Sequence, residues 1–334
     1  MNGAETEEPF VSPFAVYRAK QVLTLPPVPF RVQGIGLPER GLGMIPGPSG
    51  HGKGLLIQDL AISLARGTQF RGELDVAQCA VCILASEGWS GYPGRQRAVY
   101  QHHGIAADED VPLFYIAASP QLDDPMMVEQ VMQTLRAMLP RPRVLFVDTY
   151  RATNSGDENS STDVARYVAH LKLLEETIQG FVCVAAHVPW TAERERGSTA
   201  MRAAMDWVAM VMKEDDVVTL SCLKSKDGPE FKPMRWRIEA RADSATVIPL
   251  GDKEQAVRLP RQWAEVPSSA QKLLTVLAEA FGDDGATSGN LQKASRVPET
   301  SFFRTIKRLT SEWGLVEKKG TRYLLTPAGR VILP

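Results

Sequence analysis

The sequence contains few of the features that mark secreted or membrane-embedded proteins. Only four cysteines occur in 334 residues, too few for a disulfide framework to hold so long a chain. No apolar run approaches the ~20 residues that span a bilayer, and the stretch Ala203–Met212 is short and contains Asp206. The first residues, MNGAETEEPF, are acidic and polar, unlike a secretory signal. We therefore expect a cytoplasmic protein that does not enter a membrane.

The chain also lacks a charge bias. Lys and Arg number 38 and Asp and Glu 39, for a net charge of −1, so any nucleic-acid surface must be local. Hydrophobic residues make up 44%, which allows a large core and a second small domain. Cys79 and Cys82 form a C-x-x-C, but they fall in a strand pattern that turns them to opposite sides. This favours two buried thiols.

A phosphate-binding loop is the most informative feature that is present. The pattern G-x-x-x-x-G-K-[ST] is matched at every fixed position but the last. In such a loop, backbone N–H groups and the following helix N-terminus together form an anion site. The sequence therefore predicts ATP binding by Gly47, Pro48, Ser49, Gly50, His51, Gly52, Lys53, Gly54 and Leu55.

Two positions of this loop determine what it can do. Lys53 is long enough to reach the β- and γ-phosphates, whereas Gly54 replaces the Ser or Thr whose hydroxyl ligates Mg²⁺. Nucleotide binding is predicted, but fast hydrolysis is less secure because water must replace one metal ligand. His51 occupies a variable position and is expected to point away from the phosphates.

Three polar residues end apolar strands downstream of the loop. Asp148 is predicted to hold Mg²⁺ through water; the alternative is an Asp that caps a helix. Glu87 is predicted to polarise the attacking water, in the order of elements typical of RecA-like ATPases; the alternative is a solvated loop residue. His187 is predicted to sense the γ-phosphate, unless it is an ordinary hydrogen-bonded histidine.

A pair of lysines forms a further candidate site. Lys224 and Lys226 are two residues apart at the end of a strand pattern, so they share one face. There they could reach the γ-phosphate of a neighbouring subunit, as an arginine finger does. A solvated surface pair fits the same spacing.

Strand-like and helix-like segments alternate from residue 42 to about 190, which predicts an α/β core with a mainly parallel sheet. Four strand patterns without intervening helices follow and predict an antiparallel extension. We expect an N-terminal arm at 1–33, a RecA-like ATPase domain at 34–250 and a linker at 251–267. Predicted strands are Leu42–Ile45, Ala80–Ala85, Leu113–Ala117, Val144–Val147, Phe181–Ala186, Val208–Met212, Val217–Leu223, Met234–Ala240 and Ala245–Ile248. Predicted helices are Lys53–Arg66, Arg95–His103, Met126–Met138 and Asp163–Ile178.

Residues 268–334 are predicted to form a small winged-helix domain. Three short helix patterns precede a hairpin with Gly320 at its tip, and the segment holds ten basic and six acidic residues. Basic side chains on the third helix and on the hairpin suit DNA phosphates. The alternative is a winged helix that binds a replication protein. The candidate DNA contacts are Arg304, Lys307, Arg308, Lys318, Lys319 and Arg322.

Over roughly residues 10–250, these motifs together resemble the RepA-like hexameric replicative helicases, RecA-like ATPases of plasmids and phages. The resemblance implies a homo-hexamer with MgATP at subunit interfaces and single-stranded DNA in a central channel. It also implies that Glu87 is the catalytic base, that Lys53 and Asp148 bind MgATP, that His187 is the sensor, and that Lys224 or Lys226 acts in trans. The motifs are GPSGHGK, ASEG with the downstream RQRA, LFVDT, GDENS, AAH, RGSTAMRAA and KSKDG.

The sequence thus predicts a DNA-dependent ATPase, a replicative helicase of a plasmid, phage or other mobile element. Two other functions stay open. A loader or regulator would bind ATP as a switch and turn it over slowly, which Gly54 favours. A structural adaptor would use its winged helix to recruit a partner.

Overall fold

The computed structural model of the chain describes residues 15–187, 198–251, 263 and 266–333. Its main feature is a nine-stranded sheet in the order β11-β10-β9-β8-β3-β7-β6-β4-β5. Six neighbouring strands run parallel: β8, β3, β7, β6, β4 and β5. Three further strands, β9, β10 and β11, extend the sheet beyond β8 in antiparallel pairing. This mixed, mostly parallel sheet matches the RecA-like core expected from the sequence. The strands are β1 Phe30–Val32, β2 Leu37–Pro38, β3 Gly41–Gly47, β4 Val81–Ala85, β5 Leu113–Ile116, β6 Val144–Asp148, β7 Phe181–His187, β8 Trp207–Glu214, β9 Val217–Ser225, β10 Met234–Arg241 and β11 Ser244–Pro249.

Helices cover both faces of this sheet. Because side chains alternate along a strand, Val81 and Ile83 of β4 enter one core with the second and third helices, while Cys82 and Leu84 enter the opposite core. Fully burying one such aliphatic side chain contributes about 1.5–3 kcal/mol. The helices are α1 Ala19–Val22, α2 Lys53–Arg66, α3 Tyr92–His103, α4 Pro125–Ala137, α5 Ser161–Ile178 and α6 Ser198–Ala204.

The two cysteines of the C-x-x-C lie as the alternation predicts. Cys79 packs against the core that contains α2 and α3, whereas Cys82 belongs to the opposite core. Burial raises the pKa of Cys79 to about 11 and that of Cys82 to about 12. Both are therefore protonated, inert thiols near neutral pH.

The antiparallel extension, defined as β9, β10 and β11, curls back over the face that carries α2 and α3. Arg71, which follows α2, donates hydrogen bonds to the carbonyl oxygens of Arg235 and Leu250. Arg97 of α3 forms an ion pair with Asp243 in the turn between β10 and β11. The outermost strands of the sheet thus lie beside the helices that flank the phosphate-binding loop.

The N-terminal arm is less extended than expected. Within its described part, Ala19–Val22 forms one helical turn, and Phe30–Val32 pairs with Leu37–Pro38 as a small antiparallel sheet. Val32 is fully buried in the core with α2, so hydrophobic burial draws the last residues of the arm onto the ATPase core.

Residues 266–333, here called the C-terminal unit, have a hydrophobic core of their own. The antiparallel strands are ordered β12-β14-β13, and Arg308 lies 3.7 Å from Glu214 of β8. The elements of the unit are α7 Ser268–Val276, β12 Ala286–Thr287, α8 Ser288–Ser295, α9 Glu299–Lys307, β13 Val316–Lys319, β14 Arg322–Leu325 and α10 Pro327–Val331.

The predicted helices and strands are confirmed, with ends that differ by up to three residues. The largest shift is in α3, which begins at Tyr92 instead of Arg95 because Pro93 is tolerated in a first helical turn. The first helix of the C-terminal unit, α7, continues into a π-helical turn at Leu277–Phe281. Most of the predicted linker lies outside the described residues. None of the helices in the described part combines the length and apolar character that a membrane crossing needs.

Candidate nucleotide-binding site

The phosphate-binding loop joins β3 to α2, and its glycines are required by geometry. Gly50 and Gly52 have φ values of 75° and 83°, a region that L-residues with side chains rarely adopt. A side chain at Gly47 would place its Cβ 2.3 Å from the carbonyl oxygen of Val211 in β8. The loop can therefore lie tightly against the sheet and present its backbone N–H groups to an anion.

Lys53 is buried at the start of α2, with 5% of its surface exposed. Its Nζ donates hydrogen bonds to the carbonyl oxygens of Gly47 and Pro48, at 2.7 and 2.9 Å. Burial lowers the pKa of Lys53 to about 8, although the nearby carboxylates of Asp148 and Glu87 oppose the shift. The ammonium thus lies within the loop that would surround a phosphate.

His51 turns toward the sheet, as the sequence led us to expect. The backbone N–H of Lys213 in β8 donates to its Nδ1 at 2.8 Å. Burial, together with the positive charges of Lys53 and Lys213, lowers the pKa of His51. The ring is therefore neutral at physiological pH and ties the loop to β8.

The parallel strands β4, β6 and β7 end at one edge of the sheet, so their terminal residues meet beside the loop. Asp148 ends β6 and is 7% exposed. The Tyr92 hydroxyl of α3 donates to its Oδ2 at 2.8 Å. Burial raises the pKa of Asp148, while this hydrogen bond and the charges of Arg95 and Lys53 oppose the rise.

Glu87 follows β4 and is 46% exposed at its side chain. The Thr149 hydroxyl donates to its Oε1 at 3.1 Å. His187, at the end of β7, places Nε2 3.7 Å from Oε2 of Glu87 and Nδ1 3.2 Å from Nζ of Lys53. Because the ammonium of Lys53 can only donate, Nδ1 of His187 accepts this hydrogen bond. The ring proton then lies on Nε2 and faces Glu87. His187 therefore connects the phosphate-binding lysine to the predicted base.

These side chains line one cavity of about 460 Å³, here called the P-loop cavity. It brings together the predicted residues Gly50 to Leu55, Glu87, Asp148 and His187. Several lining residues were not predicted as site residues: Gly88, Arg95, Thr149, Ile238, Ser244 and Ala245. One feature of the sequence could have indicated Arg95: a basic residue in the first turns of a helix opposes the helix dipole. Gly88 and Thr149 directly follow the predicted Glu87 and Asp148, whereas Ile238, Ser244 and Ala245 carry no such signal because the curl of the extension brings β10 and β11 to the cavity.

Lys224 and Lys226 lie far from the loop of their own chain. β9 runs antiparallel to β8, so its last residues lie at the opposite end of the sheet from the loop. Lys224 Nζ donates to the carbonyl oxygen of Ala203, and Lys226 pairs with Asp206 at 3.3 Å. Contact with a neighbouring subunit's phosphate stays a prediction.

The six candidate DNA contacts of the C-terminal unit lie on or directly after α9 and on the β13–β14 hairpin. The guanidinium of Arg308 lies 4.6 Å from the ring centre of Trp313 and close to Glu214. Arg322 donates to two backbone carbonyl oxygens, and Lys319 pairs with Glu317. Lys307 and Lys318 are exposed, so their ammonium groups are accessible to a polyanion. DNA contact by Arg304, Lys307, Arg308, Lys318, Lys319 and Arg322 stays a prediction.

The residues around the loop offer Mg²⁺ fewer direct ligands than the usual motif does. Mg²⁺ requires oxygen ligands at about 2.0–2.1 Å in near-octahedral geometry. Gly54 offers no hydroxyl, and the buried Asp148 carboxylate already accepts from Tyr92. The guanidinium of Arg95 lies at the same wall of the cavity. A contact from Asp148 to Mg²⁺ through water stays a prediction.

No curated protein matches the sequence. Among solved structures, the chain is similar to the flagellar accessory protein FlaH from Methanocaldococcus jannaschii, with 16% identity, a TM-score of 0.41 and coverage of 63% of this chain and 90% of that chain. It is also similar to the RadB recombinase, with 17% identity, a TM-score of 0.42 and coverage of 61% and 90%. A family model described as an AAA domain (AAA_25) matches residues 7–193. Because this match covers more than half of the sequence, the chain belongs to the AAA domain family.

Proposed function

We propose that the chain is a DNA-dependent ATPase, a replicative helicase of a plasmid, phage or other mobile element. It would hydrolyse ATP at the subunit interfaces of a homo-hexamer and move single-stranded DNA through the central channel. One observation supports the ATPase step above all others: the loop, Lys53, Glu87, Asp148 and His187 line the same P-loop cavity.

Binding would begin with the loop and α2. Backbone N–H groups and the helix N-terminus attract the β-phosphate. Lys53 would exchange the carbonyl oxygens of Gly47 and Pro48 for phosphate oxygens, which are better acceptors because they are charged. Ile238, Ser244 and Ala245 would border the nucleotide from the side of the extension.

Hydrolysis would use Glu87 as a general base. Its carboxylate takes a proton from a water molecule, the water oxygen attacks the γ-phosphorus, and ADP leaves as the bond to the β-phosphate oxygen breaks. The Thr149 hydroxyl orients one carboxylate oxygen, and the Nε2–H of His187 faces the other. His187 would report the γ-phosphate, since it lies between Lys53 and Glu87.

The in-trans contact would require the two lysines to leave their present partners. Lys224 would release the end of α6, and Lys226 would release Asp206. These exposed contacts are weak, since surface ion pairs contribute about 0–1 kcal/mol. A neighbour's triphosphate would offer a stronger partner.

ATP turnover with and without single-stranded DNA tests the proposal. Glu87→Gln should keep ATP binding and lose about 10²–10⁴-fold in turnover, because an amide cannot accept the proton. Lys53→Ala should lose binding. Glu129→Gln, the same change on the exposed face of α4, is the matched control and should behave as wild type. Normal turnover by Glu87→Gln would refute the base assignment.

A nucleotide-gated loader or regulator is the second candidate, and Gly54 favours it. With no hydroxyl at this position, the site would bind ATP as a switch and hydrolyse it slowly. Tight ATP binding with negligible turnover, both with and without DNA, would support the switch over the motor.

A further inference from the structure

The wall of the P-loop cavity at Gly54 is bordered by a carboxylate and a guanidinium. A Cβ at this position would lie 3.3 Å from Oδ2 of Asp148 and 3.4 Å from Nη1 of Arg95. In the usual motif, the Ser or Thr hydroxyl projects from this Cβ toward the metal ion. In this chain, a permanently charged nitrogen lies next to the position that the hydroxyl would take.

Arg95 is held there by its own surroundings. It lies in the first turns of α3, with its guanidinium carbon 5.1 Å from the ring centre of Tyr92. Gly88 and Gly91 leave room beside it, since a Cβ at either would lie 3.8 or 3.6 Å from its Nη2. Tyr92 thus supports Arg95 with its ring and Asp148 with its hydroxyl.

The guanidinium is available to a ligand. Within the described residues, Arg95 forms no ion pair or hydrogen bond with an acceptor; its guanidinium lies over the face of Tyr92, and its charge acts on Asp148. It nevertheless lines the cavity beside the loop. A guanidinium offers five N–H donors in a planar arrangement that matches phosphate oxygens in pairs.

A divalent cation and this guanidinium would compete for the same place. Like charges a few ångströms apart repel one another in a partly buried site. Both also neutralise the same phosphate oxygens. A side chain at position 54 would press on Oδ2 of Asp148 and lie directly against Arg95, so the glycine leaves both groups their places.

We propose that Arg95 takes over the role of the missing metal ligand. Its guanidinium binds the nucleotide phosphates of its own chain, and Gly54 leaves room for it. Triphosphate binding therefore depends little on Mg²⁺. This inference rests on the proposed function, because it requires the P-loop cavity to bind a nucleotide.

The test is a titration of the full chain with a fluorescent ATP analogue, in excess MgCl₂ and in excess EDTA. The wild-type dissociation constant should differ by less than about threefold between the two conditions. Arg95→Ala should weaken binding in EDTA by about tenfold or more, the size expected for a lost charge-assisted contact. Arg136→Ala is the matched control, because it removes the same charge from an exposed position on α4 that does not line the cavity.

A double variant makes the test reciprocal. Gly54→Ser combined with Arg95→Ala restores the common motif and removes the competing cation. It should bind the analogue in MgCl₂, and its affinity should be about tenfold or more lower in EDTA. Arg95→Lys, which keeps a charge and a similar size, should retain binding in EDTA and so guards against loss through misfolding.

The outcomes distinguish the inference from the proposed function. A wild-type affinity that is about tenfold or more higher in MgCl₂ than in EDTA would overturn the role of Arg95. An Arg95→Ala variant that binds normally in EDTA would overturn it as well. If the wild type binds the analogue neither in MgCl₂ nor in EDTA, the proposed nucleotide site itself is overturned.

Discussion

Lys53 is the residue in which burial and function are most closely coupled. Its ammonium is almost inaccessible and is surrounded by loop carbonyls, and burial lowers its pKa to about 8. Below this pH the ammonium is protonated, and above it the neutral amine predominates in the free protein. Triphosphate oxygens beside it would favour the charged form and raise its pKa again.

Nucleotide binding should therefore take up a proton when the pH exceeds about 8. We expect close to one proton per nucleotide at about pH 9 and almost none at about pH 6.5, where Lys53 is already protonated. The affinity should fall as the pH rises above about 8. Calorimetric titrations in buffers of different ionisation enthalpy measure this uptake.

The control for this prediction is Lys53→Arg. A guanidinium stays protonated throughout this pH range, so the side chain at position 53 of the variant should take up no proton when nucleotide binds. Equal proton uptake by the variant and the wild type would assign the titration to another group.

At the same scale, the sequence predicted the residues at strand ends and missed those brought in by tertiary contacts. Asp148, Glu87 and His187 could be found because each ends an apolar strand, and parallel strands end at one edge. Arg95 lies on a helix, and only the tertiary approach of α3 to the loop brings it to Gly54. The link from Lys53 through His187 to Glu87 likewise depends on side-chain directions.

At the scale of elements, the antiparallel extension is the part whose position could not be predicted. All four strand patterns after residue 206 were recognised, but the first of them, β8, pairs parallel with β3 and so belongs to the parallel part of the sheet. No local pattern specifies that β10 and β11 curl over α2 and α3. The buried contacts of Arg71 show what holds them there. Its side chain is 2% exposed, its guanidinium lies 4.7 Å from the ring centre of Trp236, and it donates to two carbonyl oxygens of the extension.

Arg71→Ala should therefore destabilise the protein by about 2–4 kcal/mol, because a buried guanidinium is lost and two partly buried carbonyl groups lose a charged donor. Nucleotide affinity should fall as well, since Ile238 and Ser244 of the extension border the P-loop cavity. Urea denaturation measures the first effect, and titration with a fluorescent nucleotide measures the second.

Arg40→Ala is the matched control for Arg71→Ala. Arg40 also has an ion pair, with Glu175 at 2.8 Å, but its side chain is 51% exposed. We expect a loss of about 0–1 kcal/mol. Equally small losses for both variants would mean that Arg71 does not hold the extension in place.

At the scale of the whole molecule, the C-terminal unit adds basic surface to a chain of nearly zero net charge. Its elements follow the order α7, β12, α8, α9, β13, β14 and α10, and we propose that the unit is a winged helix that binds DNA. Two neighbouring residues at the C-terminal end of α9 differ in their surroundings, since Lys307 is exposed while Arg308 lies near Glu214 of the ATPase core. A duplex bound at α9 would therefore lie close to β8, the strand that also contacts the phosphate-binding loop through His51.

The double variant Lys307→Ala/Lys318→Ala tests this proposal, because both side chains are exposed and lie on α9 and β13. If each contacts a phosphate, the slope of log affinity against log salt should decrease by about two. Lys272→Ala/Lys293→Ala removes the same charge from exposed positions on α7 and α8 and should leave the slope unchanged. Fluorescence anisotropy of a labelled duplex over a range of salt concentrations measures both. Equal slopes for the two variants would mean that α9 and the hairpin do not contact phosphates, and would favour a protein partner at this surface.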